Sequence, residues 1–467
     1  MARNYPAADK YRRGPVRRQL HYRGHVLAER LAPFAGTLLG SRWMKAIRHL
    51  PYVPTRAVRR LRSPAAPWTA PIPEPPAELR TVPGVRRDPE AEQEAYETAP
   101  LHNFFVLHAD AIAALTPVAG MFLPVVTTTP RLDHATRNLV ARQDTRPTRT
   151  PAPTDPRVLT AELKEHAARL GISATGVTAF DPKFTFAEAK DNAVGDRVVV
   201  AVLEQNYDAT QRIPAYRSEQ AALSTYGELE DRMVALADWL RDRGWRARPE
   251  TFIGESMFIA YAVAAGLGQL GLNGQLLTPH AGSRCRLNLL TTDAPLTCDE
   301  PVDYGIEGLC DRCQICVRRC PVGAITNQRR EHRGIVKAKV NTKRCLPLMM
   351  QSSGCSICMK VCPVQRYGLP AVLDEYRATG LVLGKDTDGL EGFDWPLDAR
   401  HYGPGEKPHV PNSVVLPPSY QFDPARTEPP LPATPHVDYN LCEAWRLPDS
   451  YRRSLQCPSM NFSATSR

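Results

Sequence analysis

"CDRCQICVRRCP" spans residues 310–321, with Cys310, Cys313, Cys316 and Cys320 spaced C-x2-C-x2-C-x3-C and closed by Pro321. A second run, Cys345, Cys355, Cys358 and Cys362 with Pro363, reads C-x9-C-x2-C-x3-C-P. Thiolates two residues apart on a tight loop converge on one face of an iron–sulfur cube. The fourth cysteine of such a run, three residues on and followed by proline, reaches the other cluster. The spacing therefore predicts one [4Fe–4S] cluster on Cys310, Cys313, Cys316 and Cys362, and a second on Cys345, Cys355, Cys358 and Cys320. Zinc ribbons use C-x2-C pairs but have no need of a third cysteine at this spacing. Disulfides need an oxidising compartment.

The two runs together look like a bacterial two-cluster ferredoxin module set within a longer chain, which makes this part an electron wire. Around it lie 467 residues, room for two or three domains. The paired arginines of YRRGPVRRQL are followed by HYRGHVLAERLAPFAG, an apolar stretch broken by charges, so no twin-arginine export signal is read there. LTPVAGMFLPVV (115–126) contains two prolines and is too short to span a bilayer. A cytoplasmic protein without an integral membrane segment is expected.

Charge and proline are unevenly spread. Residues 1–62 hold 15 Lys and Arg against Asp9 and Glu29, whereas the whole chain carries a formal +10, so the remainder sums to about −3. Such an arm suits an anionic partner, but without an aromatic-interleaved base-stacking pattern no nucleic-acid partner is expected. Six prolines fall in 64–76 and ten in 404–435, which excludes helices and central strands there. Val414, Val415, Leu416, Tyr420, Phe422 and Trp445 punctuate the C-terminal stretch with buriable side chains, as straps over a core would require. The division expected is a basic, Pro-rich region of unknown role (1–150), a catalytic domain (151–300), the two-cluster module (301–370) and a C-terminal strapping region (371–467).

Regular structure begins near Asp155. TAELKEHAARLG (160–171) has a Thr cap, helical apolar spacing and a Gly stop. SATGVTAF (173–180) and RVVVAVLEQNY (197–207) read as strands. Residues 217–243 carry the longest helical stripe, through Leu223, Tyr226, Leu229, Met233, Leu236 and Leu240. A second helix at about 255–265 runs into the turn GLGQLGLNG, and SRCRLNLLTTD (283–293) reads as a strand. The mixed order indicates an α+β sandwich. Gly266, Gly268 and Gly271 match G-x-G-x-x-G in letters, but a helix precedes them where a dinucleotide fold needs a strand.

The stretch AAGLGQLGLNGQLLTPHAGSRCRLNLLTTD (264–293), followed by both cysteine runs, resembles the cobalamin-dependent reductive dehalogenases and their relatives, the epoxyqueuosine reductases. The resemblance covers about residues 155–370. It implies a nitroreductase-like α+β sandwich that binds cobalamin, with Gly266, Gly268, Gly271, Asn273, Leu277, Thr278, Pro279, Gly282 and Ser283 lining the cofactor. A bulky residue at Gly282 would then obstruct the cofactor and leave the clusters formed. It also implies a base-off corrinoid, and none of the 12 histidines has Asp two positions earlier, as the cobalt-ligating D-x-H-x-x-G pattern needs.

Epoxyqueuosine reductases carry an Asp-Tyr-His run where this chain has Thr225-Tyr226-Gly227. The carboxyl is missing and the tyrosine remains, which tips the resemblance to a dehalogenase acting on an organohalide. The alternatives are an epoxyqueuosine reductase-like enzyme acting on tRNA and a corrinoid–ferredoxin electron carrier. In dehalogenases this tyrosine, near an Arg or Lys, is the proton donor. Tyr226 takes that role here, with Arg286, or else Arg284, as the cation that stabilises the phenolate. With no fused reductase in the sequence, an external low-potential donor of ferredoxin or flavodoxin type is expected.

Overall fold

The structure, a computed structural model, describes residues 122–410 apart from 186, 253, 333, 334 and 339. Its first elements are α1 (Phe122–Arg142), α2 (Pro156–Arg169), β1 (Ala174–Ala179), β2 (Arg197–Glu204), α3 (Tyr207–Gln211), α4 (Tyr216–Arg241) and β3 (Ala247–Pro249). There follow α5 (Phe258–Ala264), β4 (Gln269–Leu270), β5 (Leu276–Leu277) and β6 (Cys285–Thr292). The cysteine-bearing part holds α6 (Ile306–Cys313), α7 (Ile315–Arg319), β7 (Arg330–His332), β8 (Ile335–Lys337), α8 (Thr342–Gln351), α9 (Ile357–Lys360) and α10 (Pro363–Tyr367). Beyond it lie α11 (Leu369–Thr379), α12 (Asp388–Glu391), β9 (Phe393–Asp394) and β10 (His401–Tyr402).

The run RVVVAVLE becomes the central strand because both its faces are apolar. The sheet order is β1-β2-β6-β3, every pair antiparallel. Along β2, Val199, Ala201 and Leu203 pack with Leu163 of α2 and Leu229, Met233 and Leu236 of α4. The alternate residues Val198 and Val200 pack with Ala260, Tyr261 and Val263 of α5. Each fully buried Val or Leu side chain contributes roughly 1.5–3 kcal/mol. A helical layer thus covers each face of the sheet, β6 lies between β2 and β3, and the turn at Gly282 that leads into β6 meets Gln365 of the cysteine-bearing part.

Thr160 lies inside α2, donating to the Pro156 carbonyl at 2.7 Å. Asp155 caps the helix instead, accepting the Arg157 N–H at 2.7 Å, with Pro156 at the first helical position. Strand β3 (Ala-Arg-Pro) was not anticipated. It is three residues long and sits at the sheet edge, where a proline is tolerated.

The helix α1 was not anticipated either, since Pro124 and Pro130 fall within it. It packs along α4, and Gly227 permits the approach: a Cβ there would lie 3.3 Å from the Leu132 Cα. The buried Arg241 at the end of α4 donates to the Ala247 carbonyl of β3 and to the Gln143 carbonyl after α1. Removing its guanidinium would leave two carbonyls without donors.

A separate core surrounds the cysteines, built from Ile306, Leu309, Ile315, Val322, Leu348, Ile357 and Val361. Leu390, Phe393, Trp395 and Tyr402, from beyond residue 370, fill the same core. Two buried cations from the cysteine runs hold this segment down. Arg319 donates to the Glu391 and Tyr402 carbonyls at 3.0 and 2.9 Å, and Lys360 donates to the Leu390 carbonyl at 3.2 Å. The basic arm (1–62), the proline stretch 64–76 and the punctuated stretch 414–445 lie outside the described residues.

Candidate active site

The eight cysteines of the two runs sort into two groups by the charges each sulfur feels. Cys316 is influenced by Cys310, Cys313 and Cys362, and Cys310 and Cys313 by Cys362. Cys345 is influenced by Cys355, Cys320 and Cys358, and Cys355 and Cys358 by Cys320. The fourth cysteine of each run therefore stands with the other run's first three. The two groups approach each other at Cys358, which acts on Cys316 and is itself acted on by Cys362.

Local backbone makes this convergence possible. Gln314 (φ 51°) and Ser356 (φ 54°) are left-handed, each directly after a cysteine in the matching segments CQIC and CSIC. A non-glycine residue pays for that conformation, so the two loops are held by what surrounds them. Main-chain N–H groups aim at the sulfurs: Ile315 at Cys313, Ile357 at Cys355, Val364 and Gln365 at Cys362, and Ala324 at Cys320 at 3.2 Å. Burial pushes the Cys310, Cys313 and Cys355 thiols up to about 12. Buried thiols of this kind ionise readily only against a metal. Among the described residues no three His, Cys, Asp or Glu side chains are arranged for a single metal ion. Two four-thiol groups, each with amide donors, fit a four-iron cube, in which every sulfur binds a different iron.

Tyr226 is half-buried on α4, not enclosed in the core. The Arg286 guanidinium carbon lies 5.0 Å from its ring centroid, and the Phe252 ring 5.3 Å away at a tilt of 48°. Arg284 is taken elsewhere: it donates to the Gln205 carbonyl at 2.8 Å, pairs with Glu204 at 3.2 Å and lies 5.2 Å from the Tyr207 ring. Of the two candidate arginines, the structure brings Arg286 to Tyr226. Arg284 precedes β6, so strand alternation does not carry it to the same neighbour.

Glu219, two helical turns before Tyr226 on α4, was not singled out from the sequence. Burial raises its carboxyl pKa and the Arg286 charge opposes that rise. The carboxylate rests against Gly354, where a Cβ would overlap it. The tyrosine-bearing helix thus touches the loop immediately before Cys355.

The glycine stretch is packed against protein. Cβ atoms at Gly266 and Gly268 would lie 2.5 Å from the Glu300 carbonyl oxygen and 2.4 Å from that of Leu277. At Gly271 the neighbours are Asn273 and Leu277, and at Gly274 the side chain of Val340. Asn273, Leu277, Thr278 and Ser283 are all buried. Asn273 donates to Gln275 at 3.2 Å, Thr278 Oγ1 accepts the Ala281 N–H, and the Pro279 carbonyl accepts the Leu369 N–H at 2.8 Å. The Leu272 N–H aims at Cys310. This stretch joins the sheet to the cysteine module.

Gly282 corrects the expectation attached to it. Its φ is +53° and a Cβ would lie 2.5 Å from the main-chain nitrogen of Gln365, three residues after Cys362. Valine there meets backbone, and its own strain costs on the order of 1–3 kcal/mol. Gly282→Val is therefore expected to lower both melting temperature and retained iron. Full iron with the wild-type melting temperature would contradict the packing described.

Four buried polar atoms without a protein partner lie at the adjoining ends of β2 and β6: Gln205 Oε1, Arg284 Nε, Arg286 Nε and Asn288 Nδ2. Unpaired buried donors and acceptors are rare and each calls for an explanation, a bound group being one. An amide-rimmed macrocycle such as a corrinoid offers the complementary groups, so the residues present fit one.

Residues 309–366 match the 4Fe-4S dicluster domain family. Over 182 residues the chain is 32% identical to the tetrachloroethene reductive dehalogenase of Sulfurospirillum multivorans, covering 36% of this chain and 35% of that one. It is 30% identical to the Desulfitobacterium hafniense enzyme of the same name over 41% of this chain and 36% of that one. It is 32% identical to the epoxyqueuosine reductase of Synechococcus sp. (strain RCC307), over 36% of this chain and 55% of that one.

Among solved structures, the catabolic reductive dehalogenase NpRdhA with 3-bromo-4-hydroxybenzoic acid superposes with a TM-score of 0.52 at 20% identity. That match covers 64% of this chain and 47% of that one. The chain is therefore related to the reductive dehalogenases and to the epoxyqueuosine reductases, both groups oxidoreductases. It spans about a third of the length of the tetrachloroethene reductive dehalogenases it matches. Among the described residues no helix is long and apolar enough to cross a membrane.

Proposed function

We propose that the protein is a reductive dehalogenase: two electrons and one proton convert an organohalide to the hydrogen-substituted product and a halide ion. The observation that carries this reading is Tyr226 with the Arg286 guanidinium 5.0 Å from its ring, on the helix that touches the Cys355 loop. In this reading residues 151–300 form a nitroreductase-like sandwich that binds a base-off corrinoid. Residues 301–370 form the ferredoxin-like module with [4Fe–4S] clusters on Cys310, Cys313, Cys316, Cys362 and on Cys320, Cys345, Cys355, Cys358. The segment from 371 straps the core, and residues 1–150 keep no assigned role beyond α1.

Arg284, Arg286, Gln205 and Asn288 would meet the corrinoid rim, as would main-chain groups of the 266–283 stretch. The corrinoid supplies a low-potential, nucleophilic metal centre when bound. The chain supplies the rest. Tyr226 Oη holds the proton that replaces the halogen, and Arg286 holds positive charge beside the phenolate left behind. The clusters relay single electrons from an external ferredoxin- or flavodoxin-type donor, and the enzyme works in the cytoplasm.

Anaerobic reconstitution with cobalamin, iron and sulfide, followed by halide assay on haloalkenes and halogenated hydroxybenzoates, tests the reading. About eight irons are expected from two four-iron clusters, with halide released in step with substrate lost. The Co(II) spectrum is expected to lack nitrogen superhyperfine splitting. Four irons, stoichiometric zinc or such splitting would remove the corresponding assignment.

The match to the Synechococcus enzyme, over 55% of that enzyme's length, favours a second reading as an epoxyqueuosine reductase acting on tRNA. Against it, Thr225 offers a hydroxyl that donates to the Ala221 carbonyl, and a Cβ at position 227 would lie 3.3 Å from the Leu132 Cα, so a side chain there requires α1 to shift. Conversion of epoxyqueuosine-modified tRNA without halide release would establish that reading instead.

A further inference from the structure

Glu230 lies on α4 one helical turn beyond Tyr226, with none of its surface exposed. Its carboxyl touches two other elements. Oε1 accepts the Phe252 N–H at 2.7 Å, and Oε2 lies 2.5 Å from the Thr136 hydroxyl of α1. That hydroxyl is also 2.9 Å from the Leu132 carbonyl oxygen, one turn back in α1. A hydroxyl has one proton and cannot donate to both.

A neutral Glu230 satisfies every atom. Thr136 then donates to Leu132, the Glu230 O–H donates to Thr136, and the remaining carboxyl oxygen accepts from Phe252. An ionised Glu230 would be a buried charge with no cation acting on it among the described residues, and such a charge is strongly disfavoured. The charged group acting on it is Asp231, whose negative charge also opposes ionisation. Burial accordingly pushes the Glu230 carboxyl up to about 8.

Phe252 is the residue whose ring packs on Tyr226. The far part of its loop is held separately: Glu250 accepts the Glu255 N–H and the Ser256 hydroxyl, and Arg248 forks onto Glu255. The Phe252 main chain is held by Glu230. We propose that Glu230, as a neutral acid, is a positioning residue that fixes Phe252 against Tyr226 and so sets the orientation of the tyrosine hydroxyl. This deepens the reading of Tyr226 as proton donor and rests on it.

Glu230→Gln reproduces the neutral acid, since its amide can donate to Thr136 and accept from Phe252. Three measurements on the reconstituted enzyme test the proposal. The infrared difference between wild type and Glu230→Gln should contain a protonated-carboxyl C=O band. Glu230→Gln should keep kcat and the hydrogen exchange of residues 250–257 within about twofold of wild type. Glu230→Ala should speed that exchange and lower kcat by about tenfold or more, because the Phe252 N–H loses its acceptor, while KM changes less.

Phe252→Ala should reproduce the fall in kcat and keep the carboxyl band, which serves where Glu230→Ala fails to fold. Absence of the band, or Glu230→Gln as damaging as Glu230→Ala, would overturn the neutral acid. Faster exchange in Glu230→Ala with unchanged kcat would overturn the positioning role. If Tyr226→Phe proves fully active, the proton-donor reading fails, whereas the band and the exchange still report on Glu230 directly.

Discussion

Tyr226→Phe is expected to bind cobalamin, assemble both clusters and reach the reduced state, yet lose halide release by about 10²–10⁴-fold, the usual contribution of a general acid. Phenylalanine keeps the ring, so the contact with Phe252 and the attraction of the Arg286 guanidinium to the ring face both survive. What disappears is the Oη proton alone, and a loss of turnover can be assigned to it. Arg286→Gln tests the partner. Without the neighbouring positive charge the phenolate is less stabilised, so proton transfer should slow and the solvent isotope effect on kcat should rise. Arg284→Gln should leave the solvent isotope effect on kcat unchanged, because its guanidinium lies against Glu204, Gln205 and the Tyr207 ring and not against Tyr226; any loss should appear in corrinoid binding. Wild-type halide release from Tyr226→Phe would return the residue to a packing role.

The two cysteine runs and their exchanged fourth members were legible in the sequence, because cluster ligation imposes spacing within a few residues and chance seldom imitates it. Tyr226 and its arginine were legible only in part. The strand expected at 283–293 carries both Arg284 and Arg286, but β6 begins at Cys285, and tertiary neighbours decide which arginine meets the tyrosine. The glycine stretch was ambiguous for a different reason: a missing side chain shows that something approaches closely, and does not say what. At Gly266, Gly268 and Gly282 the approaching groups are main chain of this same protein. Helix α1 was hidden by its two prolines, and Glu230 by distance, since its partners Thr136 and Phe252 stand 94 and 22 residues away. A buried Glu in an amphipathic helix gives no local sign of being neutral.

Cys362→Ala is expected to destroy the cluster held by Cys310, Cys313 and Cys316, although it lies in the other run, and Cys320→Ala the cluster held by Cys345, Cys355 and Cys358. Each sulfur acts electrostatically on the opposite run: Cys362 on Cys310, Cys313 and Cys316, and Cys320 on Cys345, Cys355 and Cys358. A cube left with three thiolates exposes an iron and loses it, so bound iron should fall from about eight toward about four. The two variants should not be equivalent. Cys355 lies on the loop that touches Glu219 of the tyrosine-bearing helix, so loss of its cluster interrupts the step nearest the reaction. Cys320→Ala should therefore abolish turnover even with a strong chemical reductant. Cys362→Ala should fail with a protein donor and recover part of its turnover with the chemical one. Equal recovery in both variants, or loss of iron confined to the run that carries the substitution, would contradict the exchanged arrangement.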